Sequence, residues 1–222
     1  MASSVVISAG VALATFNTEV GNAIGSGTSN PQPSPAGVAV GDLLVGVVAL
    51  DSSIVTVSAS TGWTTLLNSV LNGVGIYTFG RIADGTATDT LSVGSGTAAT
   101  DYCATVLRIT GHTVTSGTLT TAIKTAQASG TSINPNPSAI TGQPSATRLW
   151  LAICAVDRTA TLETITAIPT NYTSVTNLVS SAETSSTTLA VTQRTLTGTG
   201  EDPGTFTASA SRPYTSVTLA IP

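Results

Sequence analysis

His112 is the only histidine in the chain, so it is the first candidate for acid–base chemistry. It follows Gly111, directly after a predicted strand. A serine hydrolase needs such a histidine beside an acidic residue and a serine on a constrained turn. The chain has no G-x-S-x-G segment, and its many serines make any single pairing with His112 uninformative. We therefore interpret His112 as a loop residue and predict no catalytic residue and no enzyme.

The chain has 11 acidic residues, and glycosidases use two carboxyl groups that face each other across a cleft. Asp51 and Asp157 follow two similar apolar runs, which favours a role in strand-end turns, with each side chain accepting from nearby backbone N–H groups. The loop 84–89, D-G-T-A-T-D, is a candidate calcium loop, but its spacing does not match an EF-hand. We predict neither a metal site nor a cofactor.

Three aromatic residues are candidates for a glycan-binding platform, namely Trp63, Tyr77 and Tyr172. Trp63 begins a predicted strand, a position near the loop rim of a sandwich. Trp150 lies inside an apolar run, so we interpret it as a core residue. Arg81 and Arg194 end equivalent strands, where a charge would protect an exposed sheet edge.

The two cysteines, Cys103 and Cys154, both lie within apolar strand patterns. Free buried thiols are the favoured interpretation. A disulfide between facing strands remains the alternative, because sequence alone does not decide it. Neither cysteine has a second Cys or a His at metal-ligand spacing.

The composition indicates an all-β protein with little charge. Charged residues make up 8% of the 222 residues and aromatic residues 4%, and Lys124 is the only lysine. Threonine favours extended backbone and offers a hydroxyl to water. Nucleic-acid binding needs a basic patch, which a net charge of −4 and seven scattered cations do not provide. We predict no nucleic-acid partner.

Two apolar runs, 41–51 and 148–157, are too short to cross a membrane and are rich in β-branched residues. Each therefore predicts a fully buried central strand. Further along the first half, Asn72-Gly73 predicts a hairpin turn that leads into a return strand, Val74–Ile82. We predict no membrane association.

Residues 1–40 are predicted to form an N-terminal strand, around 5–16, and a Pro/Gly-rich arm, with a loop over 21–35. The N-terminus has no positive region typical of a signal peptide, so we expect synthesis in a cytoplasm without export. A second Pro/Gly/Ser-rich segment, within 125–147, is predicted to be a linker.

Five segments of the first half recur in the same order in the second half, which indicates an internal duplication. The matched pairs are 41–51 with 148–157, 62–66 with 171–175, 76–81 with 189–194, 90–93 with 205–208, and 102–110 with 214–222. We predict one domain over 41–222 with half-repeats at about 41–110 and 148–222. Its expected fold is a two-sheet antiparallel β-sandwich of the jelly-roll type, built from two pseudo-repeated halves.

These segments together resemble a family of tailed-phage and marine viral proteins. The resemblance is carried by G-D-L-L-V-G-V-V-A-L-D, G-W-T-T-L-L, Y-T-F-G-R-I-A-D-G-T, A-T-V-L-R-I-T-G and the terminal V-T-L-A-I-P, and it extends from about residue 36 to residue 222. The chain departs from the pattern at Asn171-Tyr172, where a second G-W would be expected. The resemblance implies a virion-associated β-sandwich and no enzymatic activity.

We therefore expect a structural virion protein, made in the host cytoplasm and placed on the outer capsid surface. The favoured function is that of a decoration, or cement, protein that binds the major capsid protein as a homotrimer. The alternative is a receptor- or glycan-binding module of a tail fibre or spike, with Trp63, Tyr77 and Tyr172 as its platform.

Overall fold

The computed structural model describes residues 15–25, 33–51, 57–71, 73–95, 101–158, 163–180 and 186–222. Strands dominate this part of the chain, and its one α-helix, α1 (Leu119–Ala122), is a single turn. The strands in chain order are β1 (Thr15–Gly25), β2 (Leu43–Leu50), β3 (Val57–Ala59), β4 (Thr64–Leu71), β5 (Val74–Ile82), β6 (Val93–Ser95), β7 (Tyr102–Thr110), β8 (Lys124–Ser132), β9 (Ala146–Arg158), β10 (Ile165–Ala167), β11 (Thr173–Val179), β12 (Ser186–Gly198), β13 (Thr207–Ala208) and β14 (Arg212–Ile221).

The strands form two antiparallel five-stranded sheets, one from each half of the chain. The first sheet has the order β1-β7-β2-β5-β4, and the second has the order β8-β14-β9-β12-β11. Each half also contributes a two-stranded ribbon, β3-β6 or β10-β13. The second half therefore repeats the first strand for strand, and the predicted all-β sandwich of two pseudo-repeated halves is confirmed.

The central strands β2 and β9 both contribute to the main core, where β2 contacts β12 and β9 contacts β5. The inner face of β2 contributes alternate residues from Leu43 to Ala49, and that of β9 contributes alternate residues from Leu149 to Ala155. All of these side chains are buried. This arrangement confirms the prediction that each apolar run is a buried central strand, and it places both strands in one core.

Each sheet also has a buried outer face, because a ribbon covers it. The outer cluster of the first sheet joins Leu44 and Val48 of β2 to Val57 of the β3-β6 ribbon. The outer cluster of the second sheet joins Trp150 of β9 to Ala208 of the β10-β13 ribbon. The molecule thus has four layers. Strands buried on both faces need apolar residues throughout, which explains why the two central runs do not alternate.

The contacts between the two sheets are reciprocal. Strand β5 contacts β14 as β12 contacts β7, and β1 contacts β11 as β8 contacts β4. Exchange of this kind between equivalent elements is the signature of a twofold axis. Two hydrogen bonds between the sheets also join equivalent positions of the two halves. Cys103 Sγ donates to Thr187 O at 3.4 Å, and Thr215 Oγ1 donates to Val74 O at 2.9 Å. The halves are therefore related by a pseudo-twofold axis through the core.

Both hairpin and central-strand predictions agree with the structure. Strand β5 has the predicted bounds Val74–Ile82, and Leu71 pairs with Val74 across the hairpin turn. Asn72 itself and most of the predicted first strand, residues 5–14, lie outside the described residues.

Two predicted irregular segments contain strands. Residues Thr15–Gly25 of the expected arm form β1, which pairs with β7, and residues 125–132 of the expected linker belong to β8, which pairs with β14. The second half therefore begins earlier than the sequence repeat indicated. Gly25 and Gly130 lie against the rings of Tyr102 and Tyr214 at equivalent places, and this cross-strand packing marks the two strands as a pair. The connectivity also differs from the jelly-roll pattern, because each half supplies one complete sheet.

Many threonine and serine hydroxyls are buried within the sheets, although threonine was expected to face water. Thr192 Oγ1 donates to Ala152 O at 3.0 Å, and Thr218 Oγ1 donates to Ser138 O at 2.7 Å. These bonds satisfy polar groups that would otherwise destabilise the core. Threonine therefore also serves as a packing residue here, because its hydroxyl donates a hydrogen bond to a backbone carbonyl.

Candidate functional site

A buried arginine organises the outer face of the first sheet. Arg81 Nε donates to Asp89 Oδ1 at 2.7 Å, and its Nη2 donates to Thr88 Oγ1 and pairs with Asp84 Oδ2, each at 2.7 Å. Trp63 Nε1 donates to Thr88 O at 3.0 Å. We call these five residues the first arginine cluster. The cluster ties the loop after β5 to the start of β4.

The second sheet carries an equivalent second arginine cluster, formed by Tyr172, Arg194 and Glu201. Arg194 Nη1 donates to Glu201 Oε1 at 2.8 Å, and the Tyr172 hydroxyl donates to the same oxygen at 3.3 Å. Burial and the nearby Glu201 carboxylate raise the pKa of Tyr172. An aromatic ring, an arginine and a carboxylate thus recur on both outer faces. In the first half they hold the loop after β5, and in the second half they hold the equivalent loop after β12.

The predicted glycan platform is wrong, because its three rings are buried. The exposed fraction is 9% for Trp63, 2% for Tyr77 and 6% for Tyr172. Trp63 and Tyr77 belong to the outer cluster of the first sheet, whereas Tyr172 belongs to that of the second. A sugar ring stacks on an exposed aromatic face, and none of these three rings presents one.

The predicted roles of Arg81 and Arg194 as edge charges are also wrong. Both are paired with carboxylates in the clusters, and β5 and β12 lie inside their sheets. The 84–89 loop, which was the candidate calcium loop, folds around the Arg81 guanidinium. Asp89 Oδ2 accepts from Gly85 N–H at 2.9 Å, and hydrogen bonds from Thr86 and Arg81 lower the pKa of Asp84 to about 2. The guanidinium occupies the place that a cation would need.

His112 braces a loop. Its Nδ1 accepts from Val114 N–H at 3.2 Å, which leaves Nε2 as the donor to Gly41 O at 3.1 Å. Both ring nitrogens are therefore engaged with the backbone. These contacts agree with the interpretation of His112 as a loop residue.

Cys103 and Cys154 are free and buried. Cys103, on β7 of the first sheet, belongs to the main core, whereas Cys154, on β9 of the second sheet, belongs to the outer cluster. Burial raises the pKa of the Cys154 thiol. Since the reactive form of cysteine is the thiolate, this thiol is inert at neutral pH. The alternative of a disulfide between them is excluded in this structure.

Asp51 and Asp157 meet at one end of the sandwich, which the expectation of two separate turn residues did not foresee. Their side chains are hydrogen-bonded to each other. Burial and the neighbouring Asp157 raise the pKa of Asp51 to about 7, and burial also raises the pKa of Asp157. Both carboxyl groups of this pair therefore have raised pKa values. Their equivalent positions in the sequence repeat were the signal from which this contact could have been predicted.

An open groove of about 450 Å³ lies beside the first arginine cluster. Val40, Leu119 and Arg81 line it, together with the backbone of Gly41 and Gly62. Arg81 is neutralised there by Asp84 and Asp89, and no nucleophile with an adjacent base lines the groove. The groove therefore offers a shallow contact surface without a set of reacting groups.

Within the described ranges, no three His, Cys, Asp or Glu side chains are placed to hold a metal ion. In the same ranges, no helix has the length and apolar character needed to cross a bilayer. Comparisons with protein-family models, curated proteins and solved structures found no match to the chain.

Proposed function

We propose that this chain is a non-enzymatic structural protein of a virion, and specifically a decoration protein on the outer surface of a tailed-phage capsid. Its partner is the major capsid protein, which it binds at junctions between capsid subunits. It acts as a homotrimer, because a trimer matches the symmetry of a site where three capsomers meet. The sequence resemblance points to the same setting.

The observation that carries this proposal is that the charged side chains form ion pairs with one another within the protein. Arg108 pairs with Asp42 and Arg212 pairs with Glu163, in addition to the two arginine clusters. Catalysis requires titratable groups that face a substrate. A four-layer body with its charges bound internally is instead suited to act as a rigid clamp between neighbouring subunits.

The edge strand β8 supports a docking role. Among the described strands β14 is its only partner, so β8 ends the second sheet. After Lys124 the strand reads T-A-Q-A-S-G-T-S, with neither charge nor proline. Charges and prolines are the usual protection of an edge against pairing with another chain. Strand β8 therefore has an unprotected edge, on which we propose that an extended capsid segment adds. The edge strands β4 and β11 also lack charge and proline.

The test is to mix the purified protein with undecorated capsids and measure cosedimentation and capsid melting. We expect saturable, stoichiometric binding and a higher melting temperature of the capsid. No binding to capsids contradicts the proposed function, and binding of the isolated protein to host cells instead favours a receptor-binding module.

Two matched variants test the docking edge separately. Gln127→Lys places a charge on exposed β8, and Asn22→Lys places the same charge at the equivalent exposed position of β1. We expect the β8 variant to weaken capsid binding at least about tenfold, since an edge lysine opposes strand addition. The β1 variant should bind like the wild type. Equal binding by both variants contradicts docking at β8 while leaving the decoration function intact.

A further inference from the structure

Asp51 and Asp157 occupy the same position in the two halves of the duplicated chain, and their side chains are in contact with each other. Asp51 directly follows β2, and Asp157 lies near the end of β9, the equivalent strand. Two carboxyl groups hydrogen-bond to each other only when one of them carries a proton. Contact between equivalent residues also places the pseudo-twofold axis between them. A shared proton therefore adds a link between the two halves at this end, beside the hydrogen bonds of Cys103 to Thr187 and of Thr215 to Val74.

The surroundings of the pair are mainly acidic. Asp101, just before β7, acts on Asp51, and Glu163, just before β10, acts on Asp157; both oppose ionisation of the pair. The cation that acts in the opposite direction is Arg212 of β14, which also forms an ion pair with Glu163. The side chain of Arg158, the next residue in sequence, lies outside the described residues. Loss of the shared proton thus adds negative charge to a site where only Arg212 is seen to compensate it.

We propose that the Asp51–Asp157 pair is a proton-operated latch, which ties the two sheets together at this end below neutral pH and releases them above it. On release the proton passes to solvent and two carboxylates remain, which repel each other across the axis. Only the O–H bond of the carboxylic acid is broken, and its proton is taken up by water. The latch is independent of any capsid partner, so it holds whether or not the proposed function is correct.

The direction of the pH effect follows from linkage. The pKa of Asp51 is raised from 3.8 to about 7, so the folded protein binds more protons than the unfolded chain between these values. Stability must then fall as the pH rises through this interval. The two carboxyl groups titrate as a coupled pair, so the observed midpoint belongs to both of them. Release therefore falls near neutral pH.

Local hydrogen exchange provides a direct test in the full chain. Asp51 N–H donates to Asp101 O at 3.2 Å, and Ser180 N–H donates to Thr187 O at 3.0 Å, so the two amides report on both halves near the pair. Gln143 N–H, which donates to Thr199 O at 2.8 Å, is the reference near the start of β9. From pH 5.5 to 8.5 we expect the protection factors near the pair to fall at least about tenfold, while that of Gln143 stays constant. An equal change at Gln143 would overturn the proposal.

Two isosteric variants assign the effect to the pair. In Asp51→Asn the amide replaces the titrating proton with permanent donors, so we expect protection at Ser180 to stay high at pH 8.5. In Asp157→Asn we likewise expect the protection of the Asp51 amide to stay high at pH 8.5. This variant serves as the second test if the first does not fold. Asp202→Asn, at an exposed position, is the matched control and should behave as the wild type. Persistence of the full pH response in both Asn variants would overturn the latch.

Thermal unfolding gives an independent readout. We expect the melting temperature of the wild type to fall by roughly 5 °C between pH 5 and pH 8 and that of the Asn variants to change little. A wild-type melting temperature that stays level or rises over this range would contradict the proposal. His112→Gln removes the one imidazole of the chain and should leave the shift unchanged.

Discussion

Replacing Gly62 with alanine is expected to destabilise the protein by about 3–5 kcal/mol, because it expels a buried cation from its carboxylate partner. Gly62 has a φ of +90°, a left-handed conformation that alanine adopts only with strain. A Cβ atom at this position would lie 1.8 Å from Arg81 Nη1. The guanidinium is held by Asp84, Thr88 and Asp89, so it cannot move aside without losing these bonds. Urea unfolding followed by circular dichroism measures the loss.

Asn171→Ala is the matched control, because Asn171 occupies the place of Gly62 in the second half. Its φ is +66°, the one positive value of a non-glycine residue among those described, and its side chain is exposed. The substitution retains backbone strain without displacing an arginine, so we expect a cost of about 1 kcal/mol. Equal losses for the two variants would show that the backbone conformation alone, and not the buried Arg81, determines the effect at Gly62.

Phe206→Ala is expected to cost about 3–5 kcal/mol, the usual range for a large aromatic side chain removed from a core. Phe206 is fully buried in the outer cluster of the second sheet, directly before β13. Its N–H also donates to Pro135 O at 2.9 Å, so the ring lies where β13 and the chain after β8 meet. If the outer layers are integral parts of the fold, truncation of this ring must destabilise the whole domain. Thermal and urea unfolding test this expectation.

Leu91→Ala tests the same layer in the first half. Leu91 is fully buried before β6 and lies over the bare backbone of Gly46 in β2. We expect a loss of about 2–5 kcal/mol. Val40→Ala is the control, since Val40 is 74% exposed and should leave stability unchanged. Small effects at both Phe206 and Leu91 would mean that the ribbons pack loosely and that only the inner core determines stability.

The repeat and its central strands could be predicted because they rest on local patterns. The run in β2 is apolar at nearly every position, and the alternation in β7 gives its bounds, Tyr102–Thr110, directly. Five matched segments in order then required two similar halves. One half exposes an apolar sheet face that only the other half can cover, so the single sandwich followed from the physics of burial.

The edge strands could not be predicted in the same way. Strand β8 reads K-T-A-Q-A-S-G-T-S, which has no apolar side chain larger than alanine and no buried face. Its conformation is imposed by pairing with β14 and by the packing of Gly130 against Tyr214, which are tertiary contacts. Strand β1 was obscured similarly by Gly21 and Gly25. Propensity and periodicity carry little information where a neighbouring strand supplies the order.

The site predictions failed where they depended on exposure. Trp63 and Tyr172 begin strands, which suggested rims, but each ring is covered by a loop that an arginine draws inward. The pairing of Asp51 with Asp157 was missed for a related reason. Their equivalence was read as evidence for two separate turns, whereas a twofold axis through the sandwich brings equivalent strand ends together.

The two halves are expected to unfold as one cooperative unit, and the two tryptophans allow this to be tested directly. Trp63 reports on the first half and Trp150 on the second. In Trp150→Phe and Trp63→Phe, the remaining tryptophan's fluorescence and the circular dichroism can be followed together during urea unfolding. We predict coincident midpoints and slopes for the two probes within each variant, as expected for two-state unfolding of a shared core. Separate transitions, with one half unfolding while the other persists, would contradict the account.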